Sequence, residues 1–169
     1  MELEVLTNQM AKHAASIQSL TAGISAEQAR WKPDPKAWSI LEVINHLYDE
    51  ERADFRVRVD MTLHQPAEPW PPINPEGWVT EHGYNQRDLA QSVEDFLAER
   101  RKSLAWLGDL EAPDWEASVT VPFGRFSAGD ILAAWMAHDL LHLRQLVELH
   151  WAYTLQAAQP YHVNYAGEW

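Results

Sequence analysis

A chain of 169 residues with 46% hydrophobic side chains can bury one core without staples and is too apolar for disorder, so one domain over residues 1–169 is expected. Its formal charge of −12, from 13 basic and 25 acidic residues, repels phosphate backbones and anionic lipid, which argues against nucleic acid and membranes as partners. Zero cysteines remove disulfides, thiolate metal sites and a cysteine nucleophile together.

No apolar run approaches the ~20 residues that span a bilayer, and Met1-Glu2-Leu3-Glu4 lacks the basic start of a signal peptide. The cytoplasm is the expected location. Nine tryptophans exceed what a core of this size needs, so some are expected in a pocket or an interface.

The first helix is read over residues 2–23 from Leu3, Leu6, Met10, Ile17 and Leu20 at three- and four-residue spacing, with Gly23 as its stop. His13 lies beside that stripe, as a hydrogen-bonded core residue or as part of a site. Ser25 and Gln28 have capping-box spacing for a short turn, and Trp31-Lys-Pro33-Asp-Pro35 then forbids regular structure.

The second helix opens on a capping box, Ser39 with Glu42, and a hydrophobic staple, Trp38 with Val43. It carries Ile40, Val43, Ile44, Leu47, Tyr48, Phe55, Val57 and Met61 as apolar positions. His46 and Glu50 interrupt the stripe Val43, His46, Glu50, Ala53, Val57. Buried polar groups need partners, so the two either pair with each other one turn apart or serve a site.

Gln65 to Tyr84 holds Pro66, Pro69, Pro71, Pro72 and Pro75 and reads as a long crossover connection, with Trp70, Trp78 and Tyr84 packing it down or making it a lid. The third helix starts near Asn85–Asp88, carries Leu89, Val93, Phe96, Leu97, Leu104 and Leu107, and stops near Gly108. Arg100-Arg101-Lys102 is the chain's tight basic cluster, diluted by Glu94, Asp95 and Glu99. Ser118-Val-Thr-Val121 before Pro122-Phe-Gly124 reads as a short β excursion. The residues from Tyr153 to Trp169 mix polar and aromatic types and are expected to cover the bundle, complete a pocket or pack on a partner subunit.

The fourth helix begins at Ser127, with Asp130 at its third position, and continues without proline to Tyr153. Ile131, Trp135, His138, His142, Gln145 and Leu149 form one inward stripe, and Leu132, Met136, Leu140, Leu143 and Val147 are expected to bury a second face. His138 and His142 lie about 40° apart around the helix and about 6 Å apart along it, so both imidazoles can reach one point. Such a pair also arises by chance. With His46 opposite, the set becomes three histidines, which leaves a fourth metal position open for water or substrate.

Pro35-Lys-Ala-Trp38-Ser-Ile-Leu-Glu42-Val-Ile-Asn-His46-Leu, followed downstream by Ala137-His138-Asp-Leu-Leu-His142-Leu-Arg-Gln145-Leu, resembles the DinB-like superfamily, which includes the bacillithiol transferases. The resemblance covers nearly the whole chain. It implies an all-α, up-down-down-up four-helix bundle with a long crossover between helices 2 and 3, in agreement with the residue-level reading. It also implies a metal triad at His46, His138 and His142, a zinc- or nickel-like ion, a homodimer, and thiol transfer with a bacillithiol- or mycothiol-like cosubstrate. Glu50 and Asp139 are candidates to orient a ligand histidine or act as a general base, and Arg144 and Trp135 are candidates for substrate binding. A metal-dependent hydrolase and a non-catalytic binding module remain alternatives, with His13, His82 and His162 as further side chains able to close the metal's coordination shell.

Overall fold

Side-chain caps at Ser39, Asp88 and Ser127 mark where three of the long helices of the computed structural model begin; residues 2–168 are described here, and Trp169 of the tail lies outside them. Helix α1 (Leu3–Thr21) ends ahead of Gly23, whose φ of +75° is the left-handed conformation glycine tolerates best. In the short α2 (Ala26–Arg30), Ser25 Oγ accepts from the Gln28 amide at 3.1 Å. The expected box closes at Ser39: its hydroxyl accepts from the Glu42 amide at 3.1 Å, and Glu42 Oε2 accepts from the Ser39 amide at 2.8 Å. Helix α3 (Ile40–Asp49) follows and continues without a break through a π-helical stretch, Glu50–Phe55, into α4 (Arg56–His64).

The crossover is not structureless, as its prolines suggest. Pro75 starts a helix, α5 (Pro75–Glu81), where its missing N–H costs nothing, and Asn74 caps it through the Gly77 amide at 3.1 Å. The segment is pinned to α3 through Asp49, a fully buried carboxylate that accepts from Tyr84 Oη at 2.5 Å and His82 Nδ1 at 2.7 Å. Asp88 then caps α6 (Leu89–Gly108). The β excursion is an antiparallel hairpin of β1 (Ser118–Val121) and β2 (Gly124–Ser127). It delivers the chain into α7 (Ala128–Ala157), which opens on a second reciprocal box between Ser127 and Asp130.

Four long helices make the bundle: α1, the continuous α3–α4, α6 and α7. The first packs on α6 and α7, α3 packs on α6, and α4 packs on α7, the up-down-down-up arrangement with its long connection after the second helix. Among the described residues no helix is long and apolar enough to cross a membrane.

Two apolar clusters fill the interior. One gathers Ile17, Val43, Ile44, Leu47, Phe96 and Leu146; the other gathers Met10, Val59, Leu107, Ile131, Leu132 and Trp135. On every helix the sequence between them supplies a polar residue: His13, Glu51, Arg100 and Asp139. Arg100, part of the expected basic cluster, is only 1% exposed. Its guanidinium donates to both oxygens of Glu51 at 2.8 Å and to both oxygens of Asp139 at 2.7 and 2.8 Å. It also reaches the Met10 carbonyl at 3.1 Å, and Trp135 Nε1 donates to Glu51 at 3.0 Å.

Two apolar expectations fail for one physical reason each. Leu140 and Val147 are exposed, because α7 has bundle partners on one side only. Val57 is half-buried while Val59 and Thr62 are buried, because the π-helical stretch adds a residue to the turn and rotates everything after it. Removing one member of a buried ion network strands the others in low dielectric, at about 3–5 kcal/mol. Arg100→Met should therefore lower the unfolding free energy by about that amount in urea titrations; a loss below about 1 kcal/mol would contradict the reading of Arg100 as the clamp between the clusters.

Candidate metal centre

His46 stands on α3 two turns after the capping box, and His138 and His142 stand one turn apart on α7. Helix α7 thus presents two imidazoles to one from the facing helix, and the three meet at their Nε2 atoms. His46 Nε2 lies 3.2 Å from His138 Nε2, which lies 3.1 Å from His142 Nε2. One ligand nitrogen from each falls within 4.8 Å of the others.

The tautomers favour a shared cation. His142 Nδ1 is 2.8 Å from Gln145 Oε1, an oxygen that only accepts, so Nδ1 carries the proton and Nε2 a lone pair. A proton on His138 Nε2 can serve one neighbour and not both. A tetrahedral ion with 2.0–2.1 Å bonds would use all three lone pairs and set its ligand nitrogens about 3.3 Å apart, close to the two spacings from His138.

Burial keeps these rings neutral, as ligation requires. Desolvation, then the neighbouring rings of His142 and His138, push His46 down to about 2. Desolvation and His142 push His138 down to about 4, and His142 is lowered by burial as well. Trp38 stacks on His142 with ring planes 3° apart and meets His46 edge-on at 4.8 Å. Phe55 leans on His138 at 5.0 Å. Two aromatic walls thus border the centre.

His46 Nδ1 and Glu50 Oε1 are both buried without a hydrogen bond and stand 3.8 Å apart. That is too long for a bond and short enough to close with a small side-chain rotation. Burial, with Asp54 one turn on, raises Glu50 to about 8, and Asp54 is raised by burial too.

These residues lie in a sequence that the profile of the DinB superfamily matches over residues 9–146. The chain belongs to the DinB superfamily. Two solved structures share its fold. YfiT from Bacillus subtilis, described as a probable metal-dependent hydrolase with an unusual four-helix bundle topology, superposes with a TM-score of 0.79 at 14% identity, over 90% of this chain and 87% of its own. A histidine-to-alanine variant of a mycothiol-dependent maleylpyruvate isomerase gives 0.68 at 11% identity, over 86% of this chain and 61% of its own. No curated protein matches in sequence.

The fold brings some of the expected site residues of this DinB protein to the centre and keeps others away. His46, His138, His142 and Glu50 assemble. Asp139 does not: although beside His138 in sequence it faces α6 and α1, bonded to Arg100 and 3.3 Å from His13 Nδ1. Burial would raise Asp139, but the Arg100 hydrogen bonds outweigh that and hold it below the usual carboxylate range. Trp135 is core, 1% exposed and stacked on Phe55. Arg144 faces solvent and pairs with Glu148 at 3.3 Å. Nor do the three further histidines close the shell: His13 belongs to Asp139, His82 to Asp49, and His162 lies exposed in the tail. Three neighbours of the triad had other readings in sequence or none. Trp38 reads there as a staple, Phe55 as core and Gln145 as part of the inward stripe, although Gln145 three residues after a ligand is a spacing that reaches its ring.

In the metal-free protein His46 and His138 have folded pKa values below their unfolded value near 6.5, so the unfolded chain binds more protons between about pH 4 and 6.5. Stability is then full above pH 6.5 and falls as pH drops through that window. Between pH 7.5 and 5 each of the two should cost about 2 kcal/mol, read from urea midpoints. His138→Gln should flatten the profile; an unchanged profile would show that the ring is not held neutral by its surroundings.

Proposed function

We propose that this DinB protein is a divalent-metal-dependent enzyme, holding zinc or nickel, that transfers a bacillithiol- or mycothiol-like thiol to an electrophilic small molecule. The convergence of three neutral Nε2 atoms, with the other described histidines engaged elsewhere or remote, carries the reading. Three protein ligands leave a position open, the pattern of catalytic rather than structural sites. An ion bound there supplies a Lewis acid that makes a thiol or a water nucleophilic near neutral pH.

The chain's own groups do the rest. Gln145 holds His142 in the ligating tautomer. Glu50 is placed to accept from His46 Nδ1 once the 3.8 Å gap closes. Trp38 and Phe55 keep water from the flanks of the centre, which strengthens every electrostatic contact inside. The reading needs a thiol from outside, in keeping with a chain that contains no cysteine.

Hydrolysis is the second reading, since Glu50 puts a carboxyl group beside the centre. It is weaker on geometry: the Glu50 carboxyl stands behind His46, facing its Nδ1 rather than the converging Nε2 atoms. The exposed apolar side chains Leu140, Leu141, Val147 and Leu155 on α7, set around the Arg144–Glu148 ion pair, offer a second copy a mixed face and support a homodimer.

Zinc-loaded protein should consume bacillithiol in the presence of a chloroarene or epoxide, and the rate should fall to background on chelation. His138→Ala should lose roughly 100-fold or more. Zinc-loaded protein inert to thiols but active on esters or amides would move the assignment to the hydrolase. Inertness toward all of these would leave a binding module.

A further inference from the structure

Arg58 stands on α4 one turn beyond Asp54, and its side chain is 18% exposed. Its Nε faces Asp54 Oδ1 in an ion pair, and its guanidinium carbon lies 4.7 Å from the centre of the Trp70 ring. A guanidinium offers five N–H donors in one plane, and here one edge faces Asp54. Among the described residues no acceptor is hydrogen-bonded to its two terminal nitrogens.

Two hollows meet at this side chain. One, of about 600 Å³, lies between the proline-rich stretch 66–73 and the hairpin residues 119–123. The other, of about 130 Å³, is walled by Phe55, Trp70, Phe123, Phe126 and Ile131. An apolar cavity of ~150 Å³ accepts one benzene ring, so the smaller hollow is of aryl size, and its aromatic walls suit a flat ring. The polar groups on its rim are mostly committed. Asp130 Oδ2 accepts from the Ser127 amide and hydroxyl at 2.8 and 2.7 Å, and Asp54 faces Arg58. The bonds from Ser127 also hold Asp130 ionised at the rim, so its charge opposes an anion there, and the donor edge of Arg58 is what can offset it for a group of planar, two-oxygen geometry.

We propose that this hollow is a binding site for an aromatic carboxylate, its ring between Phe55, Phe126 and Trp70 and its carboxylate on the free edge of Arg58. Phe55 is the wall shared with the metal centre: it forms one side of the hollow and leans on His138 at 5.0 Å. A ring bound there lies one aromatic side chain away from the triad, and the larger hollow leaves room for the rest of a longer molecule. That the bound acid is the electrophile of the transfer rests on the thiol-transfer reading; the binding itself does not.

Isothermal titration with phenylacetate and with phenylacetamide, its neutral counterpart, tests the site in zinc-loaded and in chelated protein. Phenylacetate should bind at least about tenfold tighter than the amide in both forms, about what one charge-assisted bidentate contact contributes. Arg58→Gln should remove that preference. Ala134→Leu, which fills the hollow from its exposed rim and changes no charge, should weaken acid and amide alike at unchanged zinc content. Equal affinity for the two probes overturns the proposal, as does a preference that survives Arg58→Gln. So does a preference that disappears with zinc, which would place the carboxylate on the ion. A protein that binds phenylacetate as described yet transfers no thiol would sink the transfer reading and leave the site intact.

Discussion

All four bundle helices meet at one guanidinium. Arg100 of α6 reaches Glu51 in the π-helical stretch, Asp139 on α7 and the Met10 carbonyl on α1, and is almost wholly buried while doing so. Burying so much charge is costly unless every donor and acceptor finds a partner, and here they do. The consequence is register. Glu51 neighbours Glu50 and Asp139 neighbours His138, so the contacts that satisfy Arg100 also set how far α7 can slide against the helix that carries His46. The triad is assembled by a network that never touches it.

The π-helical stretch is the second constraint. Glu50 and Glu51 are both buried, as are all residues from Ile40 to Leu47 on the regular α3, because this helix has neighbours on more than one side. Here the widened turn serves two buried polar sites from adjacent positions, Glu50 toward His46 and Glu51 toward Arg100. It also carries Asp54 and Phe55 toward the hollow beside the metal centre. Such bulges concentrate at functional sites because they sacrifice regular hydrogen bonding for placement.

Much of this was legible in the residues. Capping boxes at Ser39 and Ser127 announce two helix starts, and the apolar spacing gives four helices with one long crossover. The His46, His138 and His142 set follows once the facing of two helices is granted. Other features hid for reasons that are physical. A basic triplet such as Arg100-Arg101-Lys102 looks like a solvated face, and nothing local says that its first member is pulled inward by carboxylates 49 and 39 residues away. A π turn leaves the composition of a helix unchanged and shows only as a phase slip between Leu47 and Val59. Helix α5 was masked by the prolines around it. Asp139 misleads because adjacency to His138 along a helix means a different face.

The central claim is that three imidazoles, and no fourth protein group, hold one divalent ion. X-ray absorption at the zinc edge, on protein loaded with one equivalent, tests it most directly. The account predicts three nitrogen scatterers with the outer-shell pattern of imidazole at about 2.0–2.1 Å, completed by one or two exchangeable oxygens that a small thiol replaces with sulfur. An ion bound by four protein ligands, by fewer than three imidazoles, or not at all at micromolar concentration would contradict it.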